Sequence, residues 1–447
     1  MLGFLPFSSF RVMSPAPKRD VLILGAGLAG LSTAYHLGGG YRLVEKGDRV
    51  GGLCKTDVRE GFRFDATGHW LHLRDPEMQA LAERLLPGGW TRVERRAGIW
   101  SHGVFTRYPY QVNTHGLPPQ VIAENVLGFV EAQLGEKGRE LREREPRTFG
   151  EFIRRHLGEG IARNFMFPYN EKLWTVHPDD MGTEWMGRFV PRPTLEQVIR
   201  GALGLEGDAA GYNATFRYPA SGGIEAFASA LGEALPRAAE CHLHPVALDP
   251  RRKVATMSSG EEIPWRAVVA TIPLPELVRL VGGAPPQILE AAGRLRATTV
   301  TYVNVAARDV GAPPFHWVYL PERRYAPYRI GSASAAVPSV APPGHRSFYV
   351  EFSARAPLEA AVVEPQAVEA LLDTGFLRSR SDVLFTETRH IPHAYVIYDE
   401  AYGPAKKTLL GWLAGRDILT AGRYGNWEYS SMEDALLGGR DSARKVA

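Results

Sequence analysis

The sequence predicts an α/β fold in which a parallel-sheet domain carries a mainly helical insertion and a separate antiparallel sheet. Three observations support this prediction. An apolar run at 21–24 is followed by a glycine-rich turn and a segment of helical character. Apolar and charged residues recur at helical spacing through 120–141 and 148–165. The stretches 298–306 and 347–352 instead alternate between apolar and polar residues, which is typical of antiparallel strands.

The glycine-rich turn is the feature around which the rest of the chain is organised. After the short apolar run at 21–24, Gly25, Gly27 and Gly30 stand at G-x-G-x-x-G spacing. In such a turn the first glycine permits a tight bend, the second lets a pyrophosphate approach the backbone, and the third lets the next helix lie close to the strand. The N–H groups at the start of that helix face the phosphates. The turn therefore predicts a dinucleotide site in a Rossmann-like domain.

A carboxylate and a second glycine pair indicate which dinucleotide binds. Glu45 ends a second predicted strand, at the distance from Gly25 where a carboxylate can accept hydrogen bonds from a ribose. Just past it, Lys46 to Gly52 reads KGDRVGG, a pattern that resembles flavoprotein oxidoreductases more than simple dehydrogenases. We therefore predict tightly bound FAD. The alternative is a glycine-rich loop that opens an ordinary βαβ unit.

The composition indicates a globular protein of several domains. The chain has 447 residues, of which 45% are hydrophobic, and this suffices for a large core and two or three domains. With 52 basic and 49 acidic residues the net charge is +3, so the charge does not favour nucleic acid as a partner. The two cysteines, Cys54 and Cys241, fit a reducing compartment and have no metal-binding spacing, so we predict no metal.

The N-terminal segment and the hydropathy favour a cytoplasmic location. Residues 1–18 carry prolines and lack the basic start and sustained apolar core of a secretory signal. Met13 is an alternative start, which would leave residues 1–12 untranslated. No run approaches the ~18 apolar residues that a membrane-spanning helix needs. We therefore predict a cytoplasmic protein without stable membrane insertion.

The remaining segments predict how the domains alternate along the chain. A strand at 62–65 leads into a loop with His69 and His72, and short strands at 100–105 and 108–113 precede the helical stretch. We assign the chain to an FAD-binding domain at 19–90, 215–280 and 400–447, a mainly helical insertion at 114–214, and an antiparallel-sheet substrate domain at 91–113 and 281–399.

Four later motifs make the chain resemble the UDP-galactopyranose mutase family. They are RYPYQVNT at 107–114, FMFPYNEKLWTVHPDDMGTEWMGRF at 165–189, VYLPERRYAPYRIGSASA at 318–335 and GRYGNWEY at 422–429. HAY at 393–395 adds a further tyrosine. The N-terminal block is shared with a wider group that contains protoporphyrinogen and amine oxidases. The resemblance covers most of the chain.

The motifs and the resemblance imply two sets of binding residues. The cofactor set is Gly25, Gly27, Leu28, Ala29, Gly30, Glu45, Lys46, Gly51, Gly52, Leu53, His69, Val246, Arg423, Tyr429 and Met432. The substrate set is Tyr110 and Gln111 at the uracil, Asn170 and Trp174 beside the nucleotide, and Arg188, Arg329, Tyr395 and Tyr429 at the diphosphate. Arg192 is the alternative to Arg188. Arginines bind phosphate oxygens bidentately, and tyrosines add donors without further charge.

The resemblance also implies a reaction. In that family reduced FAD attacks the anomeric carbon through N5, and UDP-galactopyranose and UDP-galactofuranose interconvert without net redox change. The same reaction on a related UDP-sugar is the alternative. Reduced flavin would require an external donor such as NADPH or NADH. The implied catalytic residues are His69, Arg188, Arg329, Tyr395 and Tyr429, with His69 responding to the proton at N5. The sequence leaves open whether the protein forms homo-oligomers.

Two other functions remain open at this point. One is an FAD-dependent oxidase or desaturase of the protoporphyrinogen/amine oxidase type, in which oxidised flavin takes a hydride from the substrate. Arg188, Arg329, Tyr395 and Tyr429 weigh against an apolar substrate, which offers such groups nothing to bind. The other is a non-catalytic protein that keeps FAD for structural reasons.

Overall fold

The computed structural model describes residues 20–186, 190–205 and 215–447. Its strands are β1 (Asp20–Leu24), β2 (Tyr41–Val44), β3 (Thr56–Arg59), β4 (Phe62–Asp65), β5 (Trp90–Glu94), β6 (Ala97–Ser101), β7 (Val104–Arg107), β8 (Thr215–Pro219), β9 (Pro245–Asp249), β10 (Val254–Met257), β11 (Glu262–Ala270), β12 (Ala297–Arg308), β13 (Trp317–Tyr319), β14 (Arg329–Gly331), β15 (His345–Ala354), β16 (Val383–Val396) and β17 (Ile418–Thr420). Its helices are α1 (Leu28–Leu37), α2 (Pro76–Leu85), α3 (Pro119–Leu134), α4 (Glu136–Arg142), α5 (Phe149–Ile161), α6 (Phe167–Trp174), α7 (Leu195–Ala202), α8 (Glu225–Glu233), α9 (Leu274–Leu280), α10 (Pro286–Arg294), α11 (Ala333–Ala336), α12 (Ala360–Asp373), α13 (Tyr402–Ala414), α14 (Gly422–Gly425) and α15 (Met432–Val446). The predicted α/β fold is confirmed.

The first sheet runs in the order β2-β1-β11-β10-β9, and β17 also pairs with β11. The pairs β1–β2, β1–β11 and β11–β17 are parallel, whereas β9, β10 and the first half of β11 form an antiparallel extension. Val21 and Ile23 enter one hydrophobic cluster while Leu22 and Leu24 enter another, so both faces of β1 are buried. Burial on both faces explains why this strand is a continuous apolar run.

The glycine-rich turn is compact enough to require glycine. Gly25 has φ +94°, in the region that side chains rarely adopt. A Cβ atom built on Gly30 would lie 1.9 Å from the carbonyl oxygen of Gly25. The first turn of α1 therefore lies directly against the end of β1, as the third glycine of the motif predicts.

Replacing Gly30 with alanine is expected to prevent accumulation of yellow, folded protein. The new methyl group meets backbone, which must move, and overpacking of this kind costs about 3 kcal/mol or more. Gly293→Ala is the matched control, because this exposed residue of α10 has no atom within 4 Å of a built Cβ. Soluble expression, thermal unfolding and flavin absorbance distinguish the two variants. A flavin-loaded Gly30→Ala protein of parental stability would contradict the close approach.

The second sheet has seven strands in the order β16-β12-β15-β14-β13-β6-β7. Its neighbours are antiparallel except for the parallel pair β13–β6. A hydrophobic cluster that includes residues of β12, β15 and α12 covers one face. Its strands come from both segments predicted for the substrate domain, 91–113 and 281–399. No described helix combines the length and apolarity needed to cross a bilayer.

Two segments depart from the sequence predictions. Residues 108–113 were expected to form a strand, but Tyr110–Val112 is a short 3-10 helix. The turn closes because Asn113 donates two hydrogen bonds. Its backbone amide donates to the Tyr110 carbonyl at 3.1 Å, and its side chain donates to the Pro109 carbonyl at 2.9 Å. The start of the predicted substrate sheet also shifts, since β5 pairs with β8 and not with the seven-stranded sheet.

Candidate active site

A large cavity lies where the glycine-rich turn, the helical insertion and the second sheet meet. Its wall combines the turn, the loop 67–72, helix α6, strands β13 to β15 and the closing segment 422–435. Aromatic side chains line much of it, among them eight tyrosines: Tyr108, Tyr169, Tyr319, Tyr328, Tyr349, Tyr395, Tyr424 and Tyr429. So many hydroxyl groups on apolar rings suit a ligand that has both planar and polar parts.

The flavin end of the cavity is nearly bare backbone. Gly27 and Gly51 form a bridge, with the Gly51 amide 2.8 Å from the Ala26 carbonyl oxygen. A Cβ on Gly52 would lie 3.0 Å from the Gly27 Cα. Gly27 is also the N-cap of α1, and no described side chain caps the N–H groups there. This cradle of backbone with unsatisfied N–H groups fits the pyrophosphate of FAD.

Glu45 helps to shape this cradle. One carboxylate oxygen accepts from the Ala26 amide and the other from the Gly47 amide, both at 2.8 Å. Each oxygen keeps a further acceptor position, so the carboxylate can still bind a ribose hydroxyl. Hydrogen bonds to two backbone amides hold it beside the turn, which is the position the motif requires.

The other predicted cofactor residues divide into two groups. Leu28, Ala29, Leu53 and Met432 line the cavity, and the Met432 sulfur lies 3.5 Å from the Cys54 sulfur. The side chains of two further residues, Lys46 and Val246, are exposed and lie outside the lining. Val246 is half exposed on β9 at the far edge of the first sheet, and contact of these two residues with the cofactor stays a prediction.

His69 is the predicted catalytic residue closest in sequence to the flavin cradle. Its Nδ1 is buried and has no hydrogen-bond partner among the described residues. Burial, together with the positive charges of Arg423 and Arg329, lowers the pKa of His69 to about 4. The imidazole is therefore neutral at physiological pH. A buried neutral imidazole with an unsatisfied nitrogen is suited to exchange a hydrogen bond with a bound ligand.

Arg329 lies on β14 in a buried ion pair. Its Nη2 donates to both carboxylate oxygens of Glu351 at 2.7 Å, and Nε adds a bond at 3.1 Å. The Tyr328 hydroxyl donates to the same carboxylate. Burial disfavours the charged guanidinium, but the Glu351 carboxylate and the surrounding tyrosines together outweigh that effect and raise the pKa of Arg329. Glu351, which sequence reasoning missed, thus orients the arginine that faces the cavity.

Arg423 lies in the closing segment, beside the rings of two tyrosines. Its guanidinium carbon lies 5.0 Å from the ring centre of Tyr429 and 5.4 Å from that of Tyr395. Its N–H groups donate to the carbonyls of Ser430, at 3.0 Å, and Ala394. The rings of Tyr395 and Tyr429 are stacked, with centres 6.0 Å apart. Three predicted residues, from the end of β16 and the closing segment, thus meet at one point.

Burial also determines how the lining tyrosines act. It raises the pKa of Tyr108, Tyr349 and Tyr429, so their hydroxyl groups stay protonated at neutral pH. Protonated phenols can donate hydrogen bonds to phosphate oxygens without adding charge.

Helix α6 supplies an aromatic wall opposite the second sheet. Trp174 and Asn170 line the cavity, and the indole N–H of Trp174 donates to the Asn170 side-chain oxygen at 3.1 Å. Phe165 and Tyr169 also line it, with parallel rings whose centres are 5.5 Å apart. The sequence analysis missed both, although their four-residue spacing places them on one helical face.

The uracil prediction needs a correction. Tyr110 is fully buried and outside the cavity lining, because its ring stacks on Phe165 at 4.7 Å and its hydroxyl accepts from Asn125 at 3.0 Å. It therefore supports Phe165 from behind. Gln111, its neighbour, does line the cavity.

The arginine prediction in the helical insertion has a different outcome. Arg188 lies outside the described residues. Its alternative, Arg192, lies over the ring of Phe152 at 4.9 Å and is absent from the lining. Arg95, which the sequence analysis did not select, lines the cavity and lies 4.9 Å from the ring centre of Tyr108.

Comparison with known proteins identifies the family. A family profile described as flavin containing amine oxidoreductase matches residues 28–373. The chain belongs to this flavin-containing amine oxidoreductase family. It is thus an FAD-dependent flavoenzyme, in agreement with the backbone cradle.

Proteins similar to this chain are named for different activities. The chain is 24% identical over 323 residues to coproporphyrinogen III oxidase of Mycobacterium leprae, which is 66% of this chain and 69% of the relative. A Mycobacterium tuberculosis protein named as a flavin-containing monoamine oxidase is 27% identical over 190 residues, 40% of this chain and 42% of the relative. The solved structure of reduced UDP-galactopyranose mutase superposes with a TM-score of 0.89 at 26% identity, covering 96% of this chain and 93% of that one.

Proposed function

We propose that this flavoenzyme is a mutase acting on UDP-galactopyranose, UDP-galactofuranose or a related UDP-sugar. The observation that carries the proposal is the polar cluster at the end of the flavin cradle, where Arg329, Arg423, Tyr395 and Tyr429 converge. The similarity to reduced UDP-galactopyranose mutase over 96% of the chain supports it. A diphosphate satisfies two guanidinium groups and several phenols, which an apolar substrate does not.

The chain's own residues have separable roles in this proposal. The parallel rings of Phe165 and Tyr169 offer stacking surface for a planar base. Arg329 and the tyrosine hydroxyl groups bind the diphosphate and keep the departing UDP in place for its return. His69 accepts or donates a hydrogen bond at the flavin edge. When bound and reduced by a donor such as NADPH or NADH, FAD would supply the nucleophile for the anomeric carbon.

An anaerobic assay tests the proposal. The purified protein is reduced with dithionite, mixed with UDP-galactofuranose and followed by chromatography for UDP-galactopyranose. We expect turnover with the reduced protein and none with the oxidised protein, since the mechanism needs reduced flavin. UDP binding without turnover would move the search to other UDP-sugars. Absence of UDP binding would reject the nucleotide-sugar site.

The second candidate is an FAD-dependent oxidase or desaturase, which the names of the matching relatives favour. Such an enzyme would consume oxygen with a porphyrinogen or amine substrate and would be indifferent to UDP. Oxygen uptake measured with and without UDP separates the two functions. An oxidase consumes oxygen and is indifferent to UDP, whereas a UDP-sugar mutase binds UDP in the cavity that its substrate occupies.

A further inference from the structure

Lys172 lies on α6 among the cavity-lining residues but does not itself line the cavity. Its side chain reaches the loop 320–328, which joins β13 to β14. The ammonium donates to the carbonyl oxygens of Leu320, Glu322 and Pro327 at 2.5, 2.9 and 3.0 Å. An ammonium group has three donors, and this cage uses all three. Within the described residues, no carboxylate oxygen lies within ion-pair distance of it.

The loop that Lys172 holds connects two parts of the cavity wall. It begins after Tyr319 and ends at Arg329, both of which line the cavity. The adjacent residue of α6, Glu171, pairs with Arg323 of the same loop at 2.5 Å, but at an exposed position where such a pair contributes little. The half-buried ammonium, with three hydrogen bonds, is therefore the stronger of the two links between helix and loop.

The same helix carries the opposite wall. Tyr169 contacts Tyr319 edge-on, with ring centres 5.2 Å apart, and lies 6.4 Å from the Tyr328 ring. Moving the loop relative to α6 would therefore change the gap between the aromatic wall and Arg329. Burial lowers the pKa of Lys172 to about 7, while the nearby Glu322 carboxylate acts in the opposite direction.

We propose that Lys172 is a positioning residue that sets the distance between the aromatic wall of α6 and the Arg329 wall of the cavity. It acts on ligand affinity and has no direct part in holding FAD. The link between α6 and the loop 320–328 does not depend on the proposed function. The effect of Lys172 on ligand affinity rests on the proposed nucleotide function.

The first test uses hydrogen exchange on the FAD-loaded protein without added ligand. In Lys172→Met, the amides of 320–330 should exchange roughly tenfold faster, since three charge-assisted hydrogen bonds are lost. Exchange in the flavin loop 67–72 should not change. Lys253→Met is the matched control, because Lys253 pairs with Asp417 at 2.6 Å and is absent from the cavity lining. Parental exchange in the loop of Lys172→Met would overturn the proposal.

The second test measures UDP binding by tryptophan fluorescence and turnover by the anaerobic assay. Lys172→Met should raise the dissociation constant of UDP about tenfold with full FAD content. KM should rise more than kcat falls. Lys172→Arg, which keeps donors, should recover part of the affinity and provides a second variant if the first misfolds. Faster loop exchange with parental UDP affinity would refute the positioning role. If the parent itself fails to bind UDP, the proposed function fails, and loop exchange alone decides the geometric inference.

Discussion

Replacing Arg329 with alanine is expected to weaken UDP binding by about ten- to a hundred-fold while FAD remains bound. Hydrogen bonds to charged groups contribute about 1.5–3 kcal/mol, and each 1.4 kcal/mol is tenfold in affinity. Arg329 lines the cavity and belongs to none of the backbone elements that cradle the cofactor. Fluorescence titration with UDP and the flavin absorbance of the purified variant check both parts.

The ion pair complicates this substitution, and the structure shows how to control for it. The Glu351 side chain is 1% exposed, so Arg329→Ala leaves a buried carboxylate unpaired, at a cost of about 3–5 kcal/mol in stability. In Arg329→Met/Glu351→Gln neither charge remains, and the stability should return close to that of the parent. UDP affinity should stay low in this double variant. Recovered affinity there, or unchanged affinity in Arg329→Ala, would remove Arg329 from the ligand site.

Arg252→Ala provides the comparison for loss of an arginine from an ion pair elsewhere. Arg252 pairs with Glu262 at 2.8 Å on the surface, with both side chains about half exposed. Such pairs contribute about 0–1 kcal/mol. This variant should match the parent in melting temperature, FAD content and UDP affinity.

Replacing His69 with alanine is expected to lower turnover by about a hundredfold or more while FAD and UDP still bind. General acid–base groups contribute about 10²–10⁴ to rates, and the unsatisfied Nδ1 of His69 is the buried imidazole nitrogen on the flavin loop. Turnover in the anaerobic assay, with flavin content and UDP affinity measured on the same sample, checks this result. Parental turnover would make His69 a structural residue.

The pH profile adds an independent test of His69. Because its pKa is lowered to about 4, the imidazole remains neutral across pH 6–8. If the neutral form is the active one, kcat should not fall as the pH rises through about 6.5, the ordinary pKa of histidine. His345→Ala, which changes a histidine outside the cavity lining, should behave as the parent does. A loss of kcat centred near pH 6.5 in both the parent and His345→Ala would instead indicate a protonated imidazole at the site.

Local physical rules explain which features the sequence could predict. Gly25, Gly27, Gly30 and Glu45 act within one strand–turn–helix unit, where spacing alone determines geometry. The continuous apolar run at 21–24 likewise predicts burial on both faces of a parallel strand. These residues indicate a Rossmann-like FAD domain before any long-range contact is known. The four later motifs extended this prediction to the substrate side by resemblance, without predicting which side chains would point inward.

Tertiary packing decided the rest of the site. Tyr110 and Phe165 are both aromatic and both belong to the motifs, yet stacking buries Tyr110 behind Phe165 and leaves Phe165 at the cavity. Glu351 and Lys172 act through partners that are respectively 22 and about 150 residues away in the chain. No local periodicity encodes such contacts, because they depend on how β14, β15 and α6 meet. The sequence by itself thus determined the fold class and the cofactor turn, whereas the inward-facing residues of the cavity and their pairing followed only from the packing of distant elements.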